Sequence, residues 1–232
     1  RYDGPMTPPG VTPSIQYPGY LGGMNWGSAT VDLSRRILVA VTNHVANHVH
    51  LVPRAVADAE GAWPMGQGRQ GLDALRGTLA QAGTPYGAVT RPFLSPLNMP
   101  CQQPPWSRIS AIDLDAGRLL WSRPLGTGRE NGPMGIKSRL PLTIGVPALG
   151  GAITTAGGLT FVGASTDKTF RALDTRTGRI LWEANLPESG NATPMTYRAG
   201  RDGRQFVVIA AGGHKTLGTK SADDIVAFAL DD

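Results

Sequence analysis

Apolar and polar residues alternate along this chain in short stretches that end at glycine-containing turns. The alternation is clearest over residues 109–114 and 169–173, where it has the period of two that is typical of a half-buried β-strand. Each stretch is followed by a turn with a glycine and then by a second short stretch, residues 118–122 and 179–183. Similar strand patterns cover residues 23–31, 36–42, 150–155, 158–163, 193–197, 205–211 and 224–230. The pattern therefore predicts an all-β fold.

One block of sequence occurs twice. Residues 111–121 (AIDLDAGRLLW) and 172–182 (ALDTRTGRILW) share Ala, Asp, Gly, Arg, Leu and Trp in the same order and spacing. Internal repeats of this kind indicate repeated structural units. With its neighbouring strands, each copy belongs to a four-stranded unit, which is the composition of a propeller blade. We expect Trp121 and Trp182 to cover the flanks of neighbouring sheets, and not to contact a cofactor, because large aromatic side chains dominate burial.

The strand pattern divides the chain into four parts. Residues 1–18 contain many prolines and are predicted to form an extended arm. Residues 19–126 are predicted to form one blade, with a long surface insert, 43–107, between its second and third strands. Residues 149–187 form a second blade, and residues 192–232 an incomplete closing blade without a fourth strand. Closed propellers typically have about four to eight blades, so we expect the chain to be a fragment or a processed subunit of a longer polypeptide.

Composition agrees with a loop-rich β-protein. The chain has 31 Gly and 19 Pro, and only 17% of its residues are charged. The net charge of +5 is scattered without a run of Lys or Arg, so no nucleic-acid partner is predicted. Cys101 is the single cysteine, which excludes an internal disulfide. No apolar run reaches about 18 residues, so no transmembrane helix is predicted within the chain.

Three weaker motifs are interpreted as structural. A GxGxxG string at residues 66–71 lacks the preceding strand and βαβ context of a dinucleotide site, and is predicted to be a flexible loop. His44, His48 and His50 could bring two imidazoles to a metal ion, but no Cys, Asp or Glu lies nearby to complete the ligands. We interpret them as polar loop residues. The spacing of Leu72, Leu75 and Leu79 predicts one short helix.

Several phrases, in order along the whole chain, resemble the C-terminal part of the propeller domain of membrane-bound quinoprotein dehydrogenases. This is the glucose/quinate/shikimate family, which uses pyrroloquinoline quinone (PQQ). The repeated block resembles the tryptophan-docking motif that joins the eight W-shaped blades of that family. The resemblance implies a partial eight-bladed quinoprotein β-propeller. The phrases are RYDG (1–4), TPP (7–9), YPGYLG (17–22), GTPYG (83–87), PFLSP (92–96), PCQQP (100–104), LGG (149–151), TAG (155–157), ATPMTY (192–197), AGGH (211–214) and GTK (218–220).

The resemblance also implies an activity. Members of the family oxidise a C–OH group of a sugar, a polyol or a cyclic hydroxy acid, with PQQ and a Ca²⁺ or Mg²⁺ ion as cofactors. They are expected on the periplasmic face of the bacterial inner membrane, where an N-terminal membrane domain passes electrons to ubiquinone. The catalytic base and the metal ligands belong to blades upstream of this chain, so no catalytic or metal-binding residue is assigned here.

The resemblance suggests six cofactor contacts. Asn25 lies in a segment that resembles the one whose Asn contacts the quinone in related alcohol dehydrogenases, and an amide offers both a donor and an acceptor. For Asn25 the alternative is a residue that caps a turn, and for His214 a loop residue that caps a strand. The six candidates are Asn25, Trp26, Leu149, Gly150, Gly213 and His214.

A second class of function stays open at this point. Propellers with docked tryptophans also serve as non-catalytic binding scaffolds, as in outer-membrane assembly. The long insert 43–107 and the PCQQP phrase at residues 100–104 favour the enzyme, because scaffold propellers with short loops lack both.

Overall fold

The computed structural model describes residues 1–4, 7–62, 78–198, 200 and 203–230. They group into two compact units. The blade unit consists of Gly23–His44 and Gln103–Asp232, and the insert unit consists of Arg1–Gly22 and Val45–Gln102. None of the described helices is long and apolar enough to cross a membrane.

In chain order, the elements are β1 (Ser14–Gln16), β2 (Ala29–Asp32), β3 (Ile37–Asn43), β4 (Asn47–Pro53), α1 (Arg54–Ala59), β5 (Thr78–Leu79), β6 (Tyr86–Pro92), β7 (Ser107–Asp113), β8 (Arg118–Pro124), β9 (Ala152–Thr154), β10 (Leu159–Val162), β11 (Thr169–Asp174), β12 (Ile180–Asn185), β13 (Met195–Arg198), β14 (Gln205–Ala211) and β15 (Asp224–Ala229).

The blade unit contains three antiparallel sheets, each with its strands in chain order. Their orders are β2-β3-β7-β8, β9-β10-β11-β12 and β13-β14-β15. The third sheet has three strands among the described residues. The all-β prediction and the blade interpretation are therefore confirmed. The first strand is shorter than predicted, since β2 begins at Ala29, and residues 24–28 form a bend and a turn before it.

The repeated sequence block folds in the same way in both full blades. Trp121 pairs with Ala111, Trp182 pairs with Ala172, and the register shifts just after each alanine. At the turn between the third and fourth strands, an aspartate side chain accepts hydrogen bonds from main-chain amides two and three residues ahead. A glycine then closes each turn with a positive φ, a backbone conformation that residues with a side chain rarely adopt.

Trp121 joins the first blade to the second. Its indole Nε1 donates a 3.0 Å hydrogen bond to the carbonyl O of Thr175 in the turn of the next blade. Its ring lies against Gly178, where an added Cβ would be 2.5 Å from Cδ2 of the indole. The guanidinium of Arg123 also donates to the carbonyl O of Gly178. The prediction that Trp121 covers a neighbouring sheet is confirmed.

Trp182 packs less completely. Its ring meets the rings of Phe228, at 4.9 Å between centroids, and Phe170, at 6.1 Å, both edge to face. The residue nevertheless remains 38% exposed. The prediction that Trp182 covers the flank of the next blade is confirmed by its contact with Phe228 of β15, although no turn of that blade lies over the ring among the described residues.

Two hydrophobic clusters fill the spaces between neighbouring blades. One is formed by β-branched and small residues of the first two blades, such as Val39, Ile109 and Val162, with Trp121 packed against it. The other lies between the second and third blades around Phe170 and Ile209. Burial of these inward faces follows from the alternation that predicted the strands.

The insert unit has a sheet of its own, with the order β1-β4-β6-β5 and the short helix α1 beside it. Strand β1 comes from the predicted arm, so Ser14–Gln16 pairs with the insert strand β4 instead of forming a separate extension. The helix predicted from three leucines is wrong at Leu79, which lies in β5. Leu72 and Leu75 lie outside the described residues.

The docking of Trp121 gives a prediction with a matched control. Trp121 is partly buried, so Trp121→Ala should cost about 3 kcal/mol in free energy of unfolding, the lower end of the range for core aromatic residues. Trp182→Ala should cost less, because Trp182 is more exposed than Trp121. Denaturant unfolding monitored by circular dichroism would measure both. Equal losses of unfolding free energy in the two variants would contradict the conclusion that Trp121 packs more completely than Trp182.

Gly178→Ala tests the same contact from the other side. Gly117 occupies the equivalent turn with φ 62°, against 69° for Gly178, but a Cβ there would meet nothing within 4 Å. Gly117→Ala therefore reports the backbone strain alone, and Gly178→Ala adds the clash with Trp121. The second variant should be the less stable, and equal stability would show that the ring can move away without loss.

The Asp174 turn gives a pH-dependent prediction. Hydrogen bonds from the Thr177 hydroxyl and main chain hold the pKa of Asp174 below its usual value. As pH falls through about 4, Asp174 is protonated in the unfolded chain before it is protonated in the folded chain. The stabilisation of the fold by the ionised Asp174 is therefore present above that pH and is lost below it. In unfolding titrations from pH 6 to pH 2, the stability difference between wild type and Asp174→Asn should shrink with acidification. A constant difference would contradict this account.

Candidate functional site

Asn25 and Trp26 lie in the turn that precedes β2. The side-chain Oδ1 of Asn25 accepts a 2.8 Å hydrogen bond from the Trp26 amide, and its main-chain O accepts one from Ser28 at 2.9 Å. The side-chain amide nitrogen, Nδ2, makes no hydrogen bond to another described residue. Trp26 is 59% exposed. The turn thus uses one end of the Asn25 amide and leaves a donor and an indole face for a ligand.

Leu149 and Gly150 lie just before β9, beside that turn. A Cβ on Gly27 would overlap the backbone of Gly150 and Gly151, so the two segments touch main chain to main chain. Leu149 is only 5% exposed, and its amide donates to the carbonyl O of Ala164 at 3.1 Å. The Leu149 side chain is therefore buried, and the segment can shape the candidate site mainly through its backbone. A direct cofactor contact of Leu149 stays a prediction.

The next inner segment, residues 189–191, lies against Gly150. A Cβ on Gly150 would be 2.6 Å from the carbonyl O of Asn191. The carbonyl O of Ser189 in turn accepts a 2.9 Å hydrogen bond from the amide of Gly213. Main-chain contacts therefore link four segments in succession: the Asn25 turn, the residues before β9, the residues before β13, and the loop after β14. These segments carry or adjoin the six predicted residues, and a single site formed by them stays a prediction.

His214 lies in the loop between β14 and β15. Its ring nitrogen Nδ1 is buried and has no hydrogen-bond partner among the described residues. Gly213 has φ 67°, and a Cβ there would overlap the carbonyl of Lys220, so only glycine fits. The His214 main chain begins a short 3₁₀ turn, Lys215–Leu217, but its side chain does not cap that turn. The expected alternative of a strand-capping side chain has no hydrogen bond to support it.

The donor set fits a planar quinone. PQQ is a flat ring system with carbonyl and carboxylate oxygens, which need hydrogen-bond donors and an apolar face. Asn25 offers an unused amide donor, His214 a ring nitrogen without a partner, and Trp26 an exposed indole face. These three side chains are the ones that would hold it in this chain.

Sequence reasoning missed three residues that shape this site: Ser189, Asn191 and Thr219. Asn191 is 4% exposed and donates from Nδ2 to the Ser189 hydroxyl at 3.1 Å. The Ser189 hydroxyl donates to Thr219 Oγ1 at 3.1 Å. Small hydroxyl residues are common in loops, so their types carry no signal. The one available clue was their position, since Ser189 and Asn191 precede the ATPMTY phrase (192–197) and Thr219 lies in the GTK phrase (218–220).

The weaker motifs do not form a second site. His44 Nε2 lies 3.1 Å from the Thr42 hydroxyl, and burial followed by the charge of Arg108 lowers its pKa. His48 and His50 lie in β4 and not in a loop, with ring centroids 5.3 Å apart. The described part of the chain contains no cluster of three or more His, Cys, Asp or Glu able to hold a metal ion. The GxGxxG string at residues 66–71 lies outside the described residues.

A buried ion pair braces the second blade. Burial raises the pKa of Asp167, but hydrogen bonds from the Arg171 guanidinium outweigh it and leave the pKa below its usual value. Ser165 and the amide of Thr127 also donate to this carboxylate, each at 2.8 Å. A cavity of about 40 Å³ borders Arg171 and Glu183. With its carboxylate fully hydrogen-bonded, this cluster is structural.

The repeated sheets and the docked tryptophan define a β-propeller. The family model described as "PQQ: Glucose/ethanol/alcohol dehydrogenase, beta-propeller domain" matches residues 1–207. The chain belongs to this family of PQQ dehydrogenase propellers. The resemblance found in the sequence is thereby confirmed.

Individual relatives agree with this assignment. The chain is 45% identical over 237 residues to the glycerol dehydrogenase large subunit of Gluconobacter thailandicus, an alignment that covers 100% of this chain and 32% of that protein. It is 40% identical over 234 residues to quinoprotein glucose dehydrogenase of Escherichia coli (strain K12), covering 100% of this chain and 28% of the relative. The chain therefore spans about a third or less of the length of these relatives.

A solved structure supports the fold alone. Quinohemoprotein alcohol dehydrogenase from Comamonas testosteroni superposes on this chain with a TM-score of 0.57 at 20% sequence identity. The superposition covers 94% of this chain and 28% of the other.

Proposed function

We propose that the whole protein that contains this chain is a PQQ-dependent dehydrogenase of a sugar, a polyol or a cyclic hydroxy acid. One observation carries the proposal: propeller blades that belong to the PQQ family carry an unused amide donor, an exposed indole and an unpartnered imidazole nitrogen on loops that main-chain contacts link in succession. Bound PQQ would supply the acceptor for the two electrons that leave the C–OH carbon.

The residues of this chain would bind and orient the cofactor. Asn25 would donate from Nδ2 to an oxygen of the ring, while its Oδ1 keeps the turn closed on Trp26. The Trp26 indole would cover one face of the ring and exclude water from it. The His214 ring nitrogen would hold a further oxygen of the cofactor. The tight backbone contacts at Gly150 and Gly213 would keep these side chains at fixed positions.

The remaining parts of the reaction belong to the rest of the protein. Blades outside this chain would supply the base that takes the hydroxyl proton and the ligands of a Ca²⁺ or Mg²⁺ ion. We propose that a membrane domain passes the electrons to ubiquinone and places the propeller on the periplasmic face of the bacterial inner membrane. The substrate would be a small polyhydroxy compound.

The proposal predicts a difference between the whole protein and this chain. The whole protein, supplied with PQQ and Ca²⁺, should oxidise at least one of glucose, glycerol and quinate in a dye-linked assay. The 232-residue chain alone should show no activity under the same conditions, because the base and metal ligands are expected elsewhere. A whole protein that neither binds PQQ nor oxidises any of these compounds would favour a non-catalytic scaffold.

Asn25 provides the most direct test of the cofactor contact. Loss of a hydrogen bond to a charged group costs roughly 1.5–3 kcal/mol, or about tenfold to a hundredfold in affinity. Asn25→Ala should therefore raise the dissociation constant for PQQ by that factor in the whole protein, as measured by titration of the apo form.

Asn25→Asp is the matched variant, because it keeps an oxygen for the Trp26 amide and replaces the Nδ2 donor with a carboxylate oxygen that repels the carboxylates of PQQ. It should weaken PQQ binding while leaving the melting temperature of the apo form nearly unchanged. If both variants bind PQQ like the wild type and only Asn25→Ala melts early, Asn25 is a turn cap and not a cofactor contact.

A further inference from the structure

One hydroxyl group holds the main chain of His214. Thr219 Oγ1 accepts a 2.6 Å hydrogen bond from the His214 amide and donates one to the His214 carbonyl O at 3.2 Å. Both polar groups of the His214 backbone therefore bond to a single side-chain atom. Such a pair of bonds closes a small ring across the loop and restricts the orientation of His214.

A buried chain of hydrogen bonds fixes that hydroxyl in turn. Asn191 donates to the Ser189 hydroxyl, and the Ser189 hydroxyl donates to Thr219 Oγ1. Ser189 is fully buried, and its carbonyl O also accepts the amide of Gly213. Each hydroxyl has one hydrogen, so accepting from one neighbour directs it to donate to the next. The chain runs in one direction, from the segment before β13 to the His214 carbonyl.

Main-chain hydrogen bonds also hold this loop, since the amides of Leu217 and Thr219 donate to the His214 carbonyl O at 3.0 and 3.4 Å, and the amide of Ala222 donates to the carbonyl O of Gly212 at 2.9 Å. Ala211, at the end of β14, is the last residue before the loop in the hydrophobic cluster of the second and third blades, and residues 212–222 are absent from both clusters. Thr216, in the middle of the loop, has a buried hydroxyl without a partner. The Thr219 hydroxyl is the acceptor of the His214 amide and links it to the Ser189 hydroxyl, while it adds little to the core that stabilises the blades.

We propose that Thr219 is a positioning residue of the cofactor site, which acts by holding the imidazole of His214 in place. This inference rests on the proposed function, in which His214 contacts PQQ. It assigns to Thr219 a role in cofactor affinity that requires no contact between Thr219 and the cofactor.

The test compares two substitutions of similar size in the whole protein. Thr219→Val removes the hydroxyl and keeps the shape, and Thr219→Ser keeps the hydroxyl. Thr219→Val should raise the dissociation constant for PQQ about five- to tenfold, the usual worth of one or two hydrogen bonds, with little change in the melting temperature of the apo form. Thr219→Ser should bind PQQ like the wild type. Weak binding by both variants would overturn the role of the hydroxyl.

A double-mutant cycle shows whether Thr219 acts through His214. In a His214→Ala background, Thr219→Val should cause no further loss of PQQ affinity, because there is no imidazole left to position. Additive losses would overturn the proposal. Thr160→Val is the control for a general loss of stability: it removes a buried hydroxyl that bonds to Thr175 at 2.9 Å, away from this loop. It should lower the apo melting temperature without changing PQQ affinity.

Amide hydrogen exchange of the apo protein separates this inference from the proposed function. Thr219→Val should accelerate exchange over residues 213–219, and Thr219→Ser should not. If the wild type fails to bind PQQ but Thr219→Val still accelerates exchange over residues 213–219, the proposed function is wrong. The inference that Thr219 restrains the loop of His214 then stands. Unchanged exchange in Thr219→Val would overturn the inference whatever the cofactor does.

Discussion

The blade unit depends on the contact between the Trp121 ring and the backbone of Gly178. A sheet whose two faces are apolar cannot stand alone in water, so each blade must cover its neighbour. The indole does this at the outer strand, and its Nε1 bond to Thr175 fixes the turn of the next blade at the same time. Only glycine allows the ring to approach this closely. The contact of one aromatic residue with one glycine thus sets the spacing between the first and second blades.

The same tolerance for close backbone approach operates at the inner ends of the strands. Gly27, Gly150 and Gly151 leave no room for a Cβ, so the segments before successive blades lie main chain against main chain. Main-chain contacts thus link, in succession, loops that are far apart in the sequence and that carry Asn25, Trp26 and His214.

The sequence predicted the elements that have strong local causes. Alternation predicted the strands of the full blades, and the Asp and Gly positions of the repeat predicted turns that the structure closes with identical hydrogen bonds. The prediction was wrong where pairing is distant. Strand β1 pairs with β4 more than thirty residues away, and no local pattern distinguishes that strand from an extended arm. The first strand begins late because the turn at Asn25 competes with it.

The candidate site was predictable in part for the same reason. Asn25 and His214 could be selected from the phrases around them, and their loops are linked through the segments before β9 and β13. The hydroxyls of Ser189 and Thr219 could not be found, because their role comes from a 3.1 Å distance between loops thirty residues apart. Burial of Leu149 was also not evident, since an apolar residue beside two glycines fits both an exposed contact and an interior position.

The ends of the insert have a consequence for how this domain can vary. Asn43, the last residue of β3, is paired directly with Ser107, the first residue of β7. The chain therefore leaves and re-enters the blade at neighbouring positions, and the hairpin it interrupts is closed whatever lies between. The entropy of closing a loop rises only slowly with its length, by about 0.6 kcal/mol per doubling. Evolution could therefore replace this insert with a shorter or a longer one without altering the register of a single strand in the blades.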